Sequence, residues 1–105
     1  MSVRKKVNND KLTVSFLIKA DAGQNAKKIC LLCEHNDWQP IEMNKHEDGT
    51  FDGEITVQLG IKPSYQYKYK YYMSDGTVKY DNDWEAEFYE DNPFGGKNSV
   101  FSAVV

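Results

Sequence analysis

No apolar run in this chain approaches the roughly 18 residues that a membrane helix needs, so no membrane partner is expected. No basic patch dominates either. The formal net charge is −3 and the pI is near 5.3, which argues against a nucleic-acid partner. The basic start, Met1 to Lys6, is followed by an apolar stretch from Leu12 to Ile18 that Thr13 and Ser15 interrupt, with no small-residue cleavage site after it. A secretory signal is therefore not expected, and the expected compartment is the cytoplasm. There is no Ser/His/Asp order, nucleophile elbow or glycine-rich phosphate loop. Gly95-Gly96 lies between Phe94 and Lys97 with no helix after it and reads as a turn.

Cysteine is scarce. Cys30 and Cys33 stand three apart in a predicted strand, which puts their side chains on opposite faces and their Cα atoms roughly 10 Å apart. A disulfide needs less than about 7 Å, so free buried thiols are expected. The C-x-x-C spacing has no second cysteine pair and no helix N-terminus beneath it, and His35 adds a single candidate ligand. No metal and no other cofactor are expected. Acids cluster from Asp81 to Glu87, but a calcium loop would need glycine where Ala86 stands and an acid where Asn92 stands. With 16 acids in the chain, close carboxylate pairs arise by composition alone and do not identify a glycosidase.

What is present is alternation. The 105 residues, 40% hydrophobic and 28% charged, suit one globular domain with a single two-layer core. Residues 1–9 read as a flexible tail and 10–105 as the domain. Leu12, Val14, Phe16 and Ile18 share one strand face. Lys28 to Cys33 is apolar on both faces and should be central. Phe51, Gly53, Ile55, Val57 and Leu59 share a face, as do Tyr65, Tyr67, Tyr69 and Tyr71, leaving Gln66, Lys68, Lys70 and Tyr72 opposite. Asp48-Gly49 and Asp75-Gly76 are hairpin signals. Ile41 to Met43, Thr77 to Tyr80 and Ser99 to Val105 complete about seven strands, and Asp81 to Asn98 reads as irregular, with a helical turn allowed over Asp83 to Glu90. The expected class is all-β, an antiparallel immunoglobulin-like β-sandwich with no helix longer than about three turns.

Cys33-Glu34-His35-Asn36-Asp37-Trp38-Gln39-Pro40 stands out within that pattern. A strand runs into Asn36-Asp37, which has turn chemistry, and Gln39-Pro40 stops any continuation. Trp38 is thus carried on a polar turn at a strand end. It either folds back as a lid over the sheet edge or presents its flat face as a binding platform. Sugars use such platforms because the axial C–H face of a pyranose lies on an aromatic ring, while its hydroxyls pair with flanking Lys, Asn and Gln.

Four segments in order then carry a resemblance. These are Asn36-Asp37-Trp38-Gln39-Pro40, Asp48-Gly49-Thr50-Phe51, Tyr65 to Tyr71 with Asp75-Gly76, and Asn82-Asp83-Trp84 through Asn92-Pro93-Phe94-Gly95-Gly96-Lys97-Asn98-Ser99-Val100. Residues 28–100 resemble the early-set domain of isoamylases and glycogen-branching enzymes. This is carbohydrate-binding module family 48, which includes the glycogen-binding domain of the AMP-activated protein kinase β subunit. The resemblance implies a non-catalytic, immunoglobulin-like module that binds α-1,4-glucans such as glycogen, starch or maltooligosaccharides. It makes Trp38 the first sugar platform and Lys70 the basic contact, with Lys97 and Asn98 in the loop that supplies an asparagine contact. The chain departs from the family at His35, where a Phe is usual, and at Cys33, where a Gly is usual. The second tryptophan platform, two residues after Asp-Gly, is Val78. Tyr80, on the same strand face as Val78, and Trp84 are the candidate replacements.

Two rival readings remain open at this stage. The same sandwich with a decayed sugar site would serve as a protein-interaction module, docking another chain by an exposed edge or aromatic patch, and a glycogen-metabolism enzyme is one candidate partner. A fragment of a hydrolase or branching enzyme is disfavoured by the start Met1-Ser2 and by the chain's end at a strand.

Overall fold

The computed structural model describes residues 3–104; Met1, Ser2 and Val105 lie outside the described residues. In chain order the strands are β1 (Val3–Asn8), β2 (Lys11–Ile18), β3 (Lys28–Cys33), β4 (Ile41–Glu42), β5 (Asn44–Lys45), β6 (Phe51–Gln58), β7 (Ser64–Tyr72), β8 (Val78–Asp81), β9 (Phe88–Asp91) and β10 (Lys97–Ser102), with a single 3-10 turn at Glu34–Asn36. They form two antiparallel sheets, ordered β1-β2-β6-β5 and β4-β3-β7-β10-β9, with β8 also paired to β7. The architecture is the expected β-sandwich.

The alternating strands decide which faces meet. Val14, Phe16, Leu31, Ile55, Val57, Tyr67 and Tyr69, the residues that period-two alternation predicts for the core, are all buried. Phe16 of one sheet meets Tyr67 of the other edge-on, with ring centroids 5.1 Å apart, and Phe101 lies 6.0 Å from Phe16. This aromatic knot joins the layers, in a geometry that favours the ring quadrupoles. Both Asp-Gly hairpins form, and in the same way. Asp48 Oδ1 accepts the Thr50 amide at 3.0 Å, and Asp75 Oδ1 accepts the Thr77 amide at 3.0 Å. Gly49 and Gly76 take φ of 89° and 90°, a region open mainly to glycine.

Three expectations are corrected. The segment expected as a tail over residues 1–9 is strand from Val3 to Asn8, paired with β2 along its length. Only Val3 of that strand is buried, so it shows no alternation, and it is held by its ladder and by an ion pair from Lys5 to Glu87. The irregular stretch Asp81 to Asn98 contains strand β9, whose four residues are all exposed, and no helical turn replaces it. The count of strands is therefore higher than seven.

Cys33 points into the core while Cys30 lies buried on the outer face of the second sheet, beneath Lys70. Both thiols are free. Burial pushes the Cys33 thiol up to about 11 and raises Cys30 as well, and the thiolate is the reactive form. A thiol reagent at pH 8 is therefore expected to label neither cysteine quickly in the native protein and both in denaturant without reductant. Finding fewer than two thiols in denaturant would contradict the strand register.

Candidate functional site

The outer face of the second sheet is built by register. Gln66, Lys68, Lys70 and Tyr72 of β7 face outward, since their odd-numbered neighbours fill the core. Leu32 of β3 stands opposite Lys68, and Cys30 opposite Lys70. Tyr80 of β8 stands opposite Lys70, and Val78 opposite Tyr72. Because β10 pairs β7 only up to Tyr67 and β8 only from Tyr69, one edge of β7 splits at Lys68.

Trp38 reaches this face from the end of β3. The 3-10 turn after Cys33 closes through Trp38 N–H donating to Cys33 O at 3.0 Å, and Asp37 and Trp38 both adopt left-handed φ, 59° and 65°. A bulky residue in that region is unusual and stores roughly 1–3 kcal/mol of strain. The turn is fastened to β7 by Glu34, which accepts the Gln66 amide at 2.8 Å where the β3 ladder ends, and which also pairs with Lys62 at 3.1 Å. Trp38 is 36% exposed. It neither disappears as a lid nor hangs free; it forms one wall of a depression.

That depression, about 460 Å³, is lined by Leu32, Glu34, Trp38, Gln66, Lys68, Asn92, Pro93, Phe94 and Asn98. Phe94, which lines the same depression, is 96% exposed at the tip of the β9–β10 turn. Asn92 builds that turn by accepting the Phe94 amide on its side chain at 2.9 Å, while Gly95 and Gly96 take φ of 98° and 78°. The floor is a chain of amides. Asn98 donates to Gln66 Oε1 at 2.9 Å and accepts from Asn92 Nδ2 at 3.2 Å, and Gln66 donates onward to Glu90 at 2.7 Å. Asn98 is only 6% exposed, so it holds the floor and the Phe94 turn in place, with one N–H and one lone pair of its side chain left over.

A second depression, about 340 Å³, adjoins the first and is lined by Lys68, Tyr80, Asp81, Asn82, Trp84, Gly95, Gly96 and Lys97. Both volumes fall in the range of roughly 300–1,000 Å³ usual for ligand sites. Trp84 is fixed by its Nε1–H donating to Asp81 at 3.0 Å. Asn82 donates to the Lys97 carbonyl at 2.7 Å, and the Lys97 ammonium pairs with Asp91 at 2.9 Å. Lys70 lies beside these depressions and lines neither. Its ammonium sits over the rings of Tyr72 and Tyr80, 5.0 and 5.7 Å from their centroids, and the hydrogen bond with Tyr72 raises its pKa.

The structure thus brings Trp38 and Asn98 together, and Tyr80, Trp84 and Lys97 together, with Lys70 behind Tyr80. Phe94, Asn92, Gln66 and Lys68 were not singled out by sequence. Phe94 had a readable signal of the kind that marked Trp38: an aromatic residue at the tip of a polar turn, between Pro93 and two glycines. Among the described residues no group of three or more His, Cys, Asp or Glu side chains is placed to hold a metal, and no helix is long and apolar enough to cross a membrane.

The fold is shared with pullulanases. The pullulanase of Anoxybacillus sp. LM18-11 in complex with maltotetraose superposes with a TM-score of 0.59 at 15% identity, covering 90% of this chain and 13% of that one. The type I pullulanase of Bacillus subtilis str. 168 in complex with maltose gives 0.59 at 18% identity, covering 90% and 12%. This chain therefore spans about an eighth of the length of those enzymes. No family model matches the sequence, and no curated protein matches it.

Proposed function

We propose that this domain is a non-catalytic carbohydrate-binding module for α-1,4-glucans of the early-set, family 48 type, with glycogen, starch or maltooligosaccharides as ligand. The observation that carries the reading is that Trp38 and Phe94, far apart in sequence, line one depression together with the amides of Gln66, Asn92 and Asn98. Aromatic faces suit the C–H faces of pyranose rings, and amides suit their hydroxyls. The sandwich it shares with enzymes crystallised with maltooligosaccharides supports the same class. Val78, where a second tryptophan platform would stand, is an exposed aliphatic side chain at the sheet edge. In its place the reading uses Phe94 in the same depression as Trp38, and Tyr80 with Trp84 in the adjoining depression.

Chemical-shift titration with maltoheptaose tests this. Phe94→Ala is expected to weaken binding about tenfold, as a lost stacking face worth about 1.5 kcal/mol requires, and Tyr80→Ala similarly. Lys70→Ala should cost less, because that ammonium is already committed to two tyrosine rings. If saturating maltoheptaose moves no resonance near Trp38, the sugar reading fails. The reading that then takes over is a protein-docking module, favoured by the unpaired edge of β9 and by Phe88, which β9 exposes on the same outer face.

A further inference from the structure

Each sheet ends in a bare edge on the same side of the sandwich. β1 closes one sheet and β9 the other, and the ion pair from Lys5 to Glu87 crosses between them. The ladders decide which backbone groups stay open. The two-residue turn Asn9-Asp10 makes Asn8 and Lys11 a hydrogen-bonded pair. Alternation then turns the main-chain groups of Val3, Lys5 and Val7 away from β2. In the other hairpin Asn92 N–H donates to Gly96 O at 2.9 Å. By the same alternation Phe88 and Glu90 bond to β10, while Tyr89 and Asp91 turn their main-chain groups to the open edge. Such an edge is a template for another strand.

The two edges carry opposite charge and run in opposite directions. β1 holds Arg4, Lys5 and Lys6, and β9 ends in Glu90 and Asp91. Arg4 and Lys6 are exposed and have no ion pair among the described residues. β6 reverses through residues 59–63 into β7 of the facing sheet. β1 runs in the direction of β6, and β9 in the direction of β7, each across one antiparallel neighbour. We propose that these edges bind a second copy of this chain, side to side, so that β1 of each copy pairs antiparallel with β9 of the other. A two-fold axis along the strands makes both seams at once, because the two edges are one sheet spacing of roughly 10 Å apart in each copy. In the register that matches the open groups, Lys5 stands across from the second copy's Asp91, Lys6 from its Glu90 and Val7 from its Tyr89. Opposite charges directly across an antiparallel pair stabilise it and like charges oppose it. The same charges therefore reject β1 on β1 and β9 on β9. No residue of either strand lines either depression, so the dimer forms whether or not the chain binds glucans.

Analytical ultracentrifugation of the whole chain from micromolar to millimolar concentration tests this, together with deuterium exchange. The mass should rise from one chain to two and stop there, because the two-fold closes both seams. In the concentrated sample the amides of Lys5, Val7, Tyr89 and Asp91 should exchange about tenfold more slowly than in the dilute one, as a mostly dimeric population requires. Lys6→Glu and Glu90→Lys should each weaken the dimer about tenfold or more, since each sets like charges across both seams, and the double variant should recover most of the loss. Val7→Pro blocks the seam by another route. It removes an amide that faces the open edge, so the β1–β2 ladder keeps its bonds and the monomer keeps its fold. A chain still monomeric at millimolar concentration overturns the proposal. So does a dimer that survives Val7→Pro, a mass that grows past two chains, or protection confined to β1 or to β9 alone.

Discussion

Trp38→Ala is expected to push maltoheptaose binding into the millimolar range while leaving a dispersed, folded spectrum. The magnitude follows from area. A stacked glucose hides on the order of 60–80 Å² of apolar surface, worth about 1.5–2 kcal/mol at 25 cal/mol/Å². Two stacking faces and a few solvent-competed hydrogen bonds at about 1 kcal/mol each give roughly 5–6 kcal/mol, hence a Kd of about 0.05–0.3 mM. Losing the Trp38 face moves that by about 13- to 30-fold, into the millimolar range. The loss should exceed that of Phe94→Ala, because the Trp38 turn is fastened to β7 through Glu34 while Phe94 is 96% exposed at a turn tip. Fold retention is expected because the turn is held by backbone bonds from Trp38 to Cys33 and from Asp37 to Glu34, neither of which uses the indole. Isothermal or chemical-shift titration decides it; a Trp38→Ala protein that binds maltoheptaose within threefold of the wild type would falsify the platform role.

Residues whose burial alternates were legible in the sequence, and so were the Asp-Gly turns. Tyr65 to Tyr71 and Phe51 to Val57 announced their faces because each strand packs one side on a core. β1 and β9 did not announce themselves, because exposed edge strands are specified by their ladders and not by a hydrophobic side. The site was half legible for a related reason. Trp38 is conspicuous as a tryptophan on a polar turn, but Lys68 looks like any lysine of an exposed strand face until the register shows β7 losing one neighbour and gaining another beside it. The resemblance places Asn98 in the loop that supplies an asparagine contact; its bonds to Gln66 and Asn92 depend on two strands and a turn meeting, which no local pattern encodes.

Asp83→Ala should be the most destabilising single change in the loop between β8 and β9, by about 3–4 kcal/mol. Asp83 is buried, and its carboxylate accepts the Tyr67 hydroxyl at 2.7 Å and the Glu85 amide at 3.0 Å. Its own amide donates to Ser99 Oγ at 2.8 Å, and its carbonyl accepts the Tyr89 hydroxyl at 2.8 Å. Tyr67 is fully buried in the aromatic knot, and burial, helped by the Asp83 carboxylate beside it, pushes its pKa far above the usual phenol range; the hydroxyl therefore keeps its proton and donates it to Asp83. Removing its acceptor strands a buried O–H, a loss of about 1–3 kcal/mol, and the charged-acceptor bond itself is of the stronger kind. For a chain of this length total stability is roughly 5–15 kcal/mol, so the change should be plain in urea denaturation. Tyr67→Phe in the Asp83→Ala background should recover part of the loss, because the stranded donor is gone, and the cycle isolates the pair. A loss under about 1 kcal/mol would mean the carboxylate is not what anchors the loop. The same substitution also reaches the site: Asp83 lies between Asn82 and Trp84, both of which line the second depression. Loosening it should weaken maltoheptaose and broaden the Trp84 indole signal while the Trp38 signal still responds, because Trp38 lines the first depression and Trp84 the second.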